Sequence, residues 1–126
     1  MFRIIGEIKA HRGRGTELGY PTINLELTEP IEPGVYAGYV RYQSVPLPAA
    51  IFVGPAVSFG EQEAQVEAHI LDWTGHFPAQ NVCIEGIKFI RQNVKFATPT
   101  DLKNQITEDI VKIRLCLPES FKTSLQ

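Results

Sequence analysis

In Gly19-Tyr-Pro-Thr-Ile-Asn-Leu-Glu-Leu27 a glycine and a proline give way to strict alternation of polar and apolar side chains. Residues two apart in an extended chain share a face. Ile23, Leu25 and Leu27 therefore lie on one side, and Thr22, Asn24 and Glu26 on the other. The pattern predicts a strand with one buried face. Pro21 fixes φ at its entry.

Working outward, the same period recurs. Residues 3–9 read as a short strand, separated from Thr22 by the Gly-rich, charged loop His11-Arg-Gly-Arg-Gly-Thr-Glu-Leu-Gly19. Glu32-Pro-Gly34 signals a turn. Val35 to Tyr42 is rich in β-formers, and Gln43 to Pro48 reads as a hairpin connection. Ala49 to Val53 is an apolar strand closed by Gly54-Pro55. From Gln65 to Leu71 alternation returns, with Val66, Ala68 and Ile70 inward and Glu67 and His69 opposite. Thr74 to Pro78 is a loop. Val82 to Arg91 is a strand whose apolar phase shifts from Val82/Ile84 to Ile87/Phe89, which a bulge at Gly86 would produce. Thr98-Pro-Thr-Asp101 has the order of a helix start: capping threonine, proline, then an acid in the first turn. Leu102, Ile106, Ile110, Ile113 and Leu117 form the stripe of that helix, and Pro118 ends it.

About six strands with short turns and one helix predict a mostly-β fold. The expected architecture is a six-stranded closed antiparallel barrel with a C-terminal helix packed on it, since closure removes exposed edges. Residues 1–126 read as a single domain with a core over 3–117 and a polar tail over 118–126.

The 126 residues are 44% hydrophobic and 21% charged, with a formal net charge of −2. A real core is affordable at that composition, and no overall basic field invites nucleic acid. No apolar run reaches the roughly 18 residues of a membrane-spanning helix. The N-terminus lacks a secretory signal pattern, so a cytoplasmic location is expected. Cys83 and Cys116 sit in apolar surroundings and are expected to be buried free thiols. His11, His69 and His76 form no zinc spacing with them.

The chemistry concentrates in three places. Thr22 and Asn24 offer two neutral oxygens from one rigid strand, which suits magnesium, a cation that takes oxygen ligands and shares its shell with substrate phosphates. Read alone, the pair also fits a solvent-facing strand side. Gly13, Gly15 and Gly19 let backbone N–H groups approach phosphate oxygens, and Arg12 and Arg14 add charge. The same loop also reads as a plain surface turn, and it is not a Walker loop. Glu67 is a carboxylate able to accept or orient a hydroxyl proton, or an ordinary surface glutamate.

In order and spacing these pieces resemble the riboflavin kinase family. The resemblance rests on Leu18-Gly-Tyr-Pro-Thr-Ile-Asn-Leu25, Pro33-Gly-Val-Tyr-Ala37, Val66-Glu-Ala-His-Ile-Leu-Asp-Trp73, Phe89-Ile-Arg91 with Lys95-Phe96, and Leu102-Lys-Asn-Gln-Ile-Thr-Glu-Asp109. Together these cover roughly residues 3–115. The resemblance implies a barrel that transfers the γ-phosphate of ATP to the 5′-hydroxyl of riboflavin, giving FMN. It implies that Thr22 and Asn24 contact Mg2+ and phosphates and that Glu67 acts as base or orienter. Gly13, Arg14, Gly15, Gly19 and Pro21 would cover the nucleotide. Arg91 and the closing helix would flank the flavin. Trp73, Phe77 and Phe96 are candidates for an apolar slot, or for plain core.

The partners implied are small molecules, with neither nucleic acid nor membrane, and an adenylyltransferase acting separately. Departures from the family pattern fall at His11, Thr16, Phe52, Val57-Ser58 and Phe77-Pro78-Ala79. They leave an alternative on the same barrel: a flavin- or nucleotide-binding regulatory module without efficient transfer. A structural interaction domain is a third reading.

Overall fold

The computed structural model describes residues 1–9, 22–55, 64–73, 77–78 and 80–117. Six strands form one antiparallel sheet: β1 (Phe2–Glu7), β2 (Ile23–Glu26), β3 (Gly34–Tyr42), β4 (Val45–Pro55), β5 (Ala64–Ile70) and β6 (Asn81–Arg91), in the order β1-β6-β3-β4-β5-β2. The two outer strands of that order meet. Lys9 bridges Asn24, its backbone N–H donating to the Asn24 carbonyl at 2.8 Å, and the sheet rolls into a barrel. An 18-residue helix, α1 (Pro99–Cys116), lies on the outside.

Alternation sorts the strands onto two sides. Ile4, Leu25, Tyr36, Val40, Ile51, Val53, Val66, Ala68 and Ile84 fill the interior, with Ile23 and Leu27 packed against them. Trp73 and Phe77 belong to this inner cluster as well, at 5.3 Å edge-on, and Tyr42 meets Phe77 at 5.2 Å. A second cluster lies outside the barrel: Val35, Ala37, Tyr39, Ala50 and Leu71 under Ile113 and Leu117 of α1, with Phe52, Ile90 and Ile110 beside them.

The bulge expected at Gly86 is present. Ala37 pairs with Lys88 but Gly38 with Gly86, leaving Ile87 as the extra residue. Phe89 takes the inward phase as expected, whereas Ile87, expected inward with it, is half exposed because a bulged residue leaves the ladder. Gly38 faces this irregularity because the backbones approach too closely for a side chain: a Cβ there would stand 1.8 Å from the Glu85 carbonyl oxygen.

The expected connection over Gln43 to Pro48 is shorter than predicted. The chain reverses over Gln43 and Ser44, both at positive φ, and β4 begins at Val45. Two prolines suggested a loop, yet both fit the strand: Pro46 pairs with Arg41 and Pro48 with Tyr39.

Helix α1 starts as its sequence specifies. The Asp101 N–H donates to Thr98 Oγ1 at 3.1 Å, and Pro99 lies in the first turn where no N–H is missed. Ile106, Ile113 and Leu117 are buried, Leu102 and Ile110 partly so. The stripe also holds a buried carboxylate, Asp109. Cys83 is a buried free thiol as expected. Cys116 is free but exposed, contrary to expectation, because the following residue, Leu117, takes the buried position at the end of the helix. The polar tail over 118–126 lies outside the described residues.

Candidate active site

Strand register brings two of the sequence-predicted residues together. On the outer face of the barrel Asn24 of β2 stands directly opposite Glu67 of β5. Side chains paired this way have Cβ atoms about 5 Å apart. The row continues across the sheet, from Glu67 to Phe52 on β4, from Phe52 to Val35 on β3, and from Val35 to Arg91 on β6. Asn24, Glu67 and Arg91, 67 residues apart in sequence at the extremes, thus share one line of cross-strand neighbours.

Asn24 is buried although it faces away from the interior, and Glu67 is partly buried beside it. The side-chain oxygens Thr22 Oγ1 and Asn24 Oδ1 are both buried. Thr22 precedes β2, and the β2–β5 register carried one residue further sets it opposite His69, which is buried on the same outer face. Asn24 also marks the seam of the barrel, with β5 on one side and Lys9 on the other.

Two neutral oxygens beside one carboxylate are hard donors, which suit magnesium. Among the described residues no three His, Cys, Asp or Glu side chains gather as a metal cluster. Two neutral oxygens and one carboxylate would leave most of such an ion's shell to phosphates and water.

Arg91 is committed elsewhere. Its Nε donates to Asp109 Oδ1 and Oδ2 at 2.9 and 3.1 Å, its Nη2 to Oδ2 at 2.7 Å, and its Nη1 to the Gln92 carbonyl at 3.0 Å. Gln105 supplies Asp109 with a further donor at 3.0 Å. Phe96 lies under the guanidinium, 5.8 Å from ring centre to carbon. The arginine thus joins β6, α1 and the connection between them. A second forked pair, Arg114 on Asp72 at 2.7 and 2.9 Å, ties the last turn of the helix to the end of β5. The Asp72 carboxylate raises the Arg114 pKa above its ordinary value.

Gly13, Arg14, Gly15, Gly19 and Pro21, with Thr16 and Val57, lie outside the described residues. Trp73 and Phe77 face the inner cluster instead of the row containing Glu67, and Phe96 is half-buried against Arg91. A groove of about 520 Å3 opens at the end of the barrel where β1 and β3 begin, over Phe2, Tyr36 and Phe89.

Phe52 in the row and Asp109 on the helix were not singled out for these contacts by the sequence. Phe52 was noted as a departure, but its position next to Glu67 follows only from register. Asp109 carried a signal, an acid at helical spacing between Ile106 and Ile113, where a surface helix has no need of one.

The model of the family described as "Flavokinase: Riboflavin kinase" matches residues 1–117. This chain belongs to the flavokinase family. Relatives include the bifunctional riboflavin kinase/FMN adenylyltransferases of Haemophilus influenzae (32% identical over 117 residues, 86% of this chain and 36% of that protein) and Pseudomonas fluorescens (32% over 126 residues, 96% and 40%). The trifunctional protein RibF/MnmA of Mycoplasmoides gallisepticum is 30% identical over 115 residues, 86% of this chain and 17% of that protein. The chain thus spans well under half the length of these relatives.

A crystal structure described as a macrolide-efflux protein from Streptococcus pneumoniae superposes with a TM-score of 0.76 at 30% identity, over 89% of this chain and 38% of that one. No described helix of the present chain is long and apolar enough to cross a membrane.

Proposed function

We propose that this flavokinase-family chain is an active ATP:riboflavin 5′-phosphotransferase. The observation that carries the reading is the direct pairing of Asn24 with Glu67 on the outer face, with the buried Thr22 oxygen two residues before Asn24, just ahead of that strand.

In this reading Thr22 and Asn24 would hold Mg2+, which when bound would neutralise phosphate charge. Both ligands are neutral, so they add no negative charge next to the triphosphate. Glu67 accepts the proton of the riboflavin 5′-hydroxyl, or orients that hydroxyl. The oxygen bonds to the γ-phosphorus as the bond to the β–γ bridging oxygen breaks, and ADP leaves. Such transfer depends on positioning and charge neutralisation more than on covalent participation of the protein. The rigid β2–β5 pair supplies that positioning. Gly13, Arg14, Gly15, Gly19 and Pro21 cover the nucleotide, and Arg91 stands at the flavin end of the row.

The chain reads as one domain over 1–126, and its two free thiols suit the reducing cytoplasm. Its FMN would pass to an adenylyltransferase, the activity that the names of the bifunctional relatives pair with riboflavin kinase.

One observation favours a second reading. Phe52, an apolar ring, is the register neighbour of Glu67 on the side away from Asn24. A module that binds flavin or nucleotide without turnover would tolerate an apolar group there. Incubation with riboflavin, ATP and Mg2+, followed by chromatography, separates the two. FMN formation that requires all three components supports the kinase. Flavin binding by folded protein without any FMN leaves the second reading.

A further inference from the structure

The groove of about 520 Å3 at the end where β1 and β3 begin shares no residue with the row that holds Asn24 and Glu67. Its floor is aromatic. Tyr36 stands between two other rings, 4.9 Å from Phe2 and 5.2 Å from Phe89, and is close to perpendicular to both, at 88° and 79°. Each outer ring lies against a glycine. A Cβ on Gly86 would stand 2.2 Å from Phe2 Cε2, and one on Gly34 would stand 2.5 Å from Phe89 Cε1. The rings are thus seated on backbone that carries no side chain, and the floor is preformed.

The facing wall is the connection from β2 to β3, which carries the exposed Glu29 and Glu32. The Tyr36 hydroxyl anchors it, donating to the Glu32 backbone carbonyl at 2.6 Å. Burial first, and the Glu32 carboxylate second, raise the Tyr36 pKa, so that carboxylate stands near the phenol. Among the described residues neither Glu29 nor Glu32 is in an ion pair. Arg3 borders the groove, but strand alternation turns it to the outer face, where its Nε lies 3.1 Å from Cys83 Sγ and 4.0 Å from Glu85 Oε2.

We propose that this groove binds a small organic cation of the methylated-ammonium class, its head over the rings of Phe2, Tyr36 and Phe89 and its charge answered by Glu32 and Glu29. Aromatic faces are negative and attract a cation held within about 6 Å of the ring centre. A methylated ammonium sheds water readily, whereas a metal ion demands hard oxygen ligands that rings do not supply. A wholly apolar ligand would cover the two carboxylates without giving them a partner. The volume suits a free small molecule, for which pockets run from about 300 to 1,000 Å3.

Choline is the probe. Titrated into the whole chain over the millimolar range at constant ionic strength, it should shift the aromatic proton resonances of Phe2, Tyr36 and Phe89 and reach saturation. Its neutral carbon isostere, with a tert-butyl group in place of trimethylammonium, should bind about ten-fold more weakly. Glu32→Gln alters an exposed side chain and keeps the backbone bond to Tyr36, so the fold should hold while choline binding weakens about five-fold. Phe89→Leu should weaken it by a similar factor. A wild type that shows no saturable shift overturns the proposal, as does equal binding of the isostere. Choline affinity unchanged in both Glu32→Gln and Phe89→Leu overturns it too. None of these readouts involves riboflavin or ATP, so their failure would leave the kinase reading untouched.

Discussion

Replacing Arg91 by alanine should unfold this protein far more readily than replacing Arg114, although both arginines hold an aspartate with the same two-pronged geometry. The difference is burial. The Asp109 side chain is 0% exposed and Arg91 18%, whereas Arg114 and Asp72 are 34% and 61% exposed. Taking Arg91 away leaves a carboxylate in the sheet–helix interface with Gln105 as its remaining side-chain donor among the described residues. Breaking a buried pair from one side costs about 3–5 kcal/mol, which for a chain of this size lowers the melting temperature by roughly 12–20 °C. Water solvates the Asp72 carboxylate as readily as Arg114 does, so Arg114→Ala should cost no more than about 1 kcal/mol. Urea and thermal unfolding followed by circular dichroism would measure both. The double variant Arg91→Met with Asp109→Leu should recover most of the loss, because an apolar pair of similar volume needs no partner charge. Equal costs for the two arginines, or less than about 1 kcal/mol for Arg91→Ala, would refute the reasoning that burial sets the value of these pairs.

Further outcomes follow from the same structure. Gly38→Ala should destabilise by about 3 kcal/mol or more, since its Cβ would meet a backbone carbonyl that cannot retreat without breaking the β3–β6 ladder; Gly6→Ala, whose nearest neighbours are Leu25 methyls at 3.8 Å, should be nearly neutral in the same denaturation assay. Burial, and secondarily the Glu32 carboxylate, push the Tyr36 phenol pKa above its ordinary value of 10.0. The folded state therefore favours the neutral phenol, so its contribution is intact below about pH 10 and lost as pH rises through the folded-state value. Tyr36→Phe should flatten the alkaline fall in melting temperature, in part only, because burial raises Tyr39 in the same direction. Thr98→Ala removes the acceptor for the Asp101 N–H and should cost about 1 kcal/mol, read from the urea midpoint.

The barrel was legible because period-two alternation survives wherever one face of a strand is buried. Ile23/Leu25 and Val66/Ala68/Ile70 announced both the strands and their inward sides. The bulge at Gly86 was visible for the same reason, as a break in phase. What stayed hidden depends on register, which no single strand carries. That Asn24 faces Glu67, and Glu67 faces Phe52, is decided by how β2, β5 and β4 slide against one another. Pro46 and Pro48 concealed the start of β4 because proline ordinarily argues against strand. Asp109 was present in the sequence as an acid on an apolar stripe, but its partner lies at the end of another element, 18 residues earlier. Cys116 misled because apolar neighbours in sequence do not fix which side of a helix end is covered.

FMN formation from riboflavin and MgATP, compared between the wild type and Glu67→Gln, tests most directly whether the carboxylate opposite Asn24 serves a kinase. The wild type should form FMN in a magnesium-dependent reaction. In Glu67→Gln kcat should be lower by roughly 10²–10⁴, the usual worth of a positioned proton acceptor, with riboflavin and MgATP still bound. A Glu67→Gln protein that turns over at the wild-type rate, or a folded wild type that yields no FMN, would contradict that role.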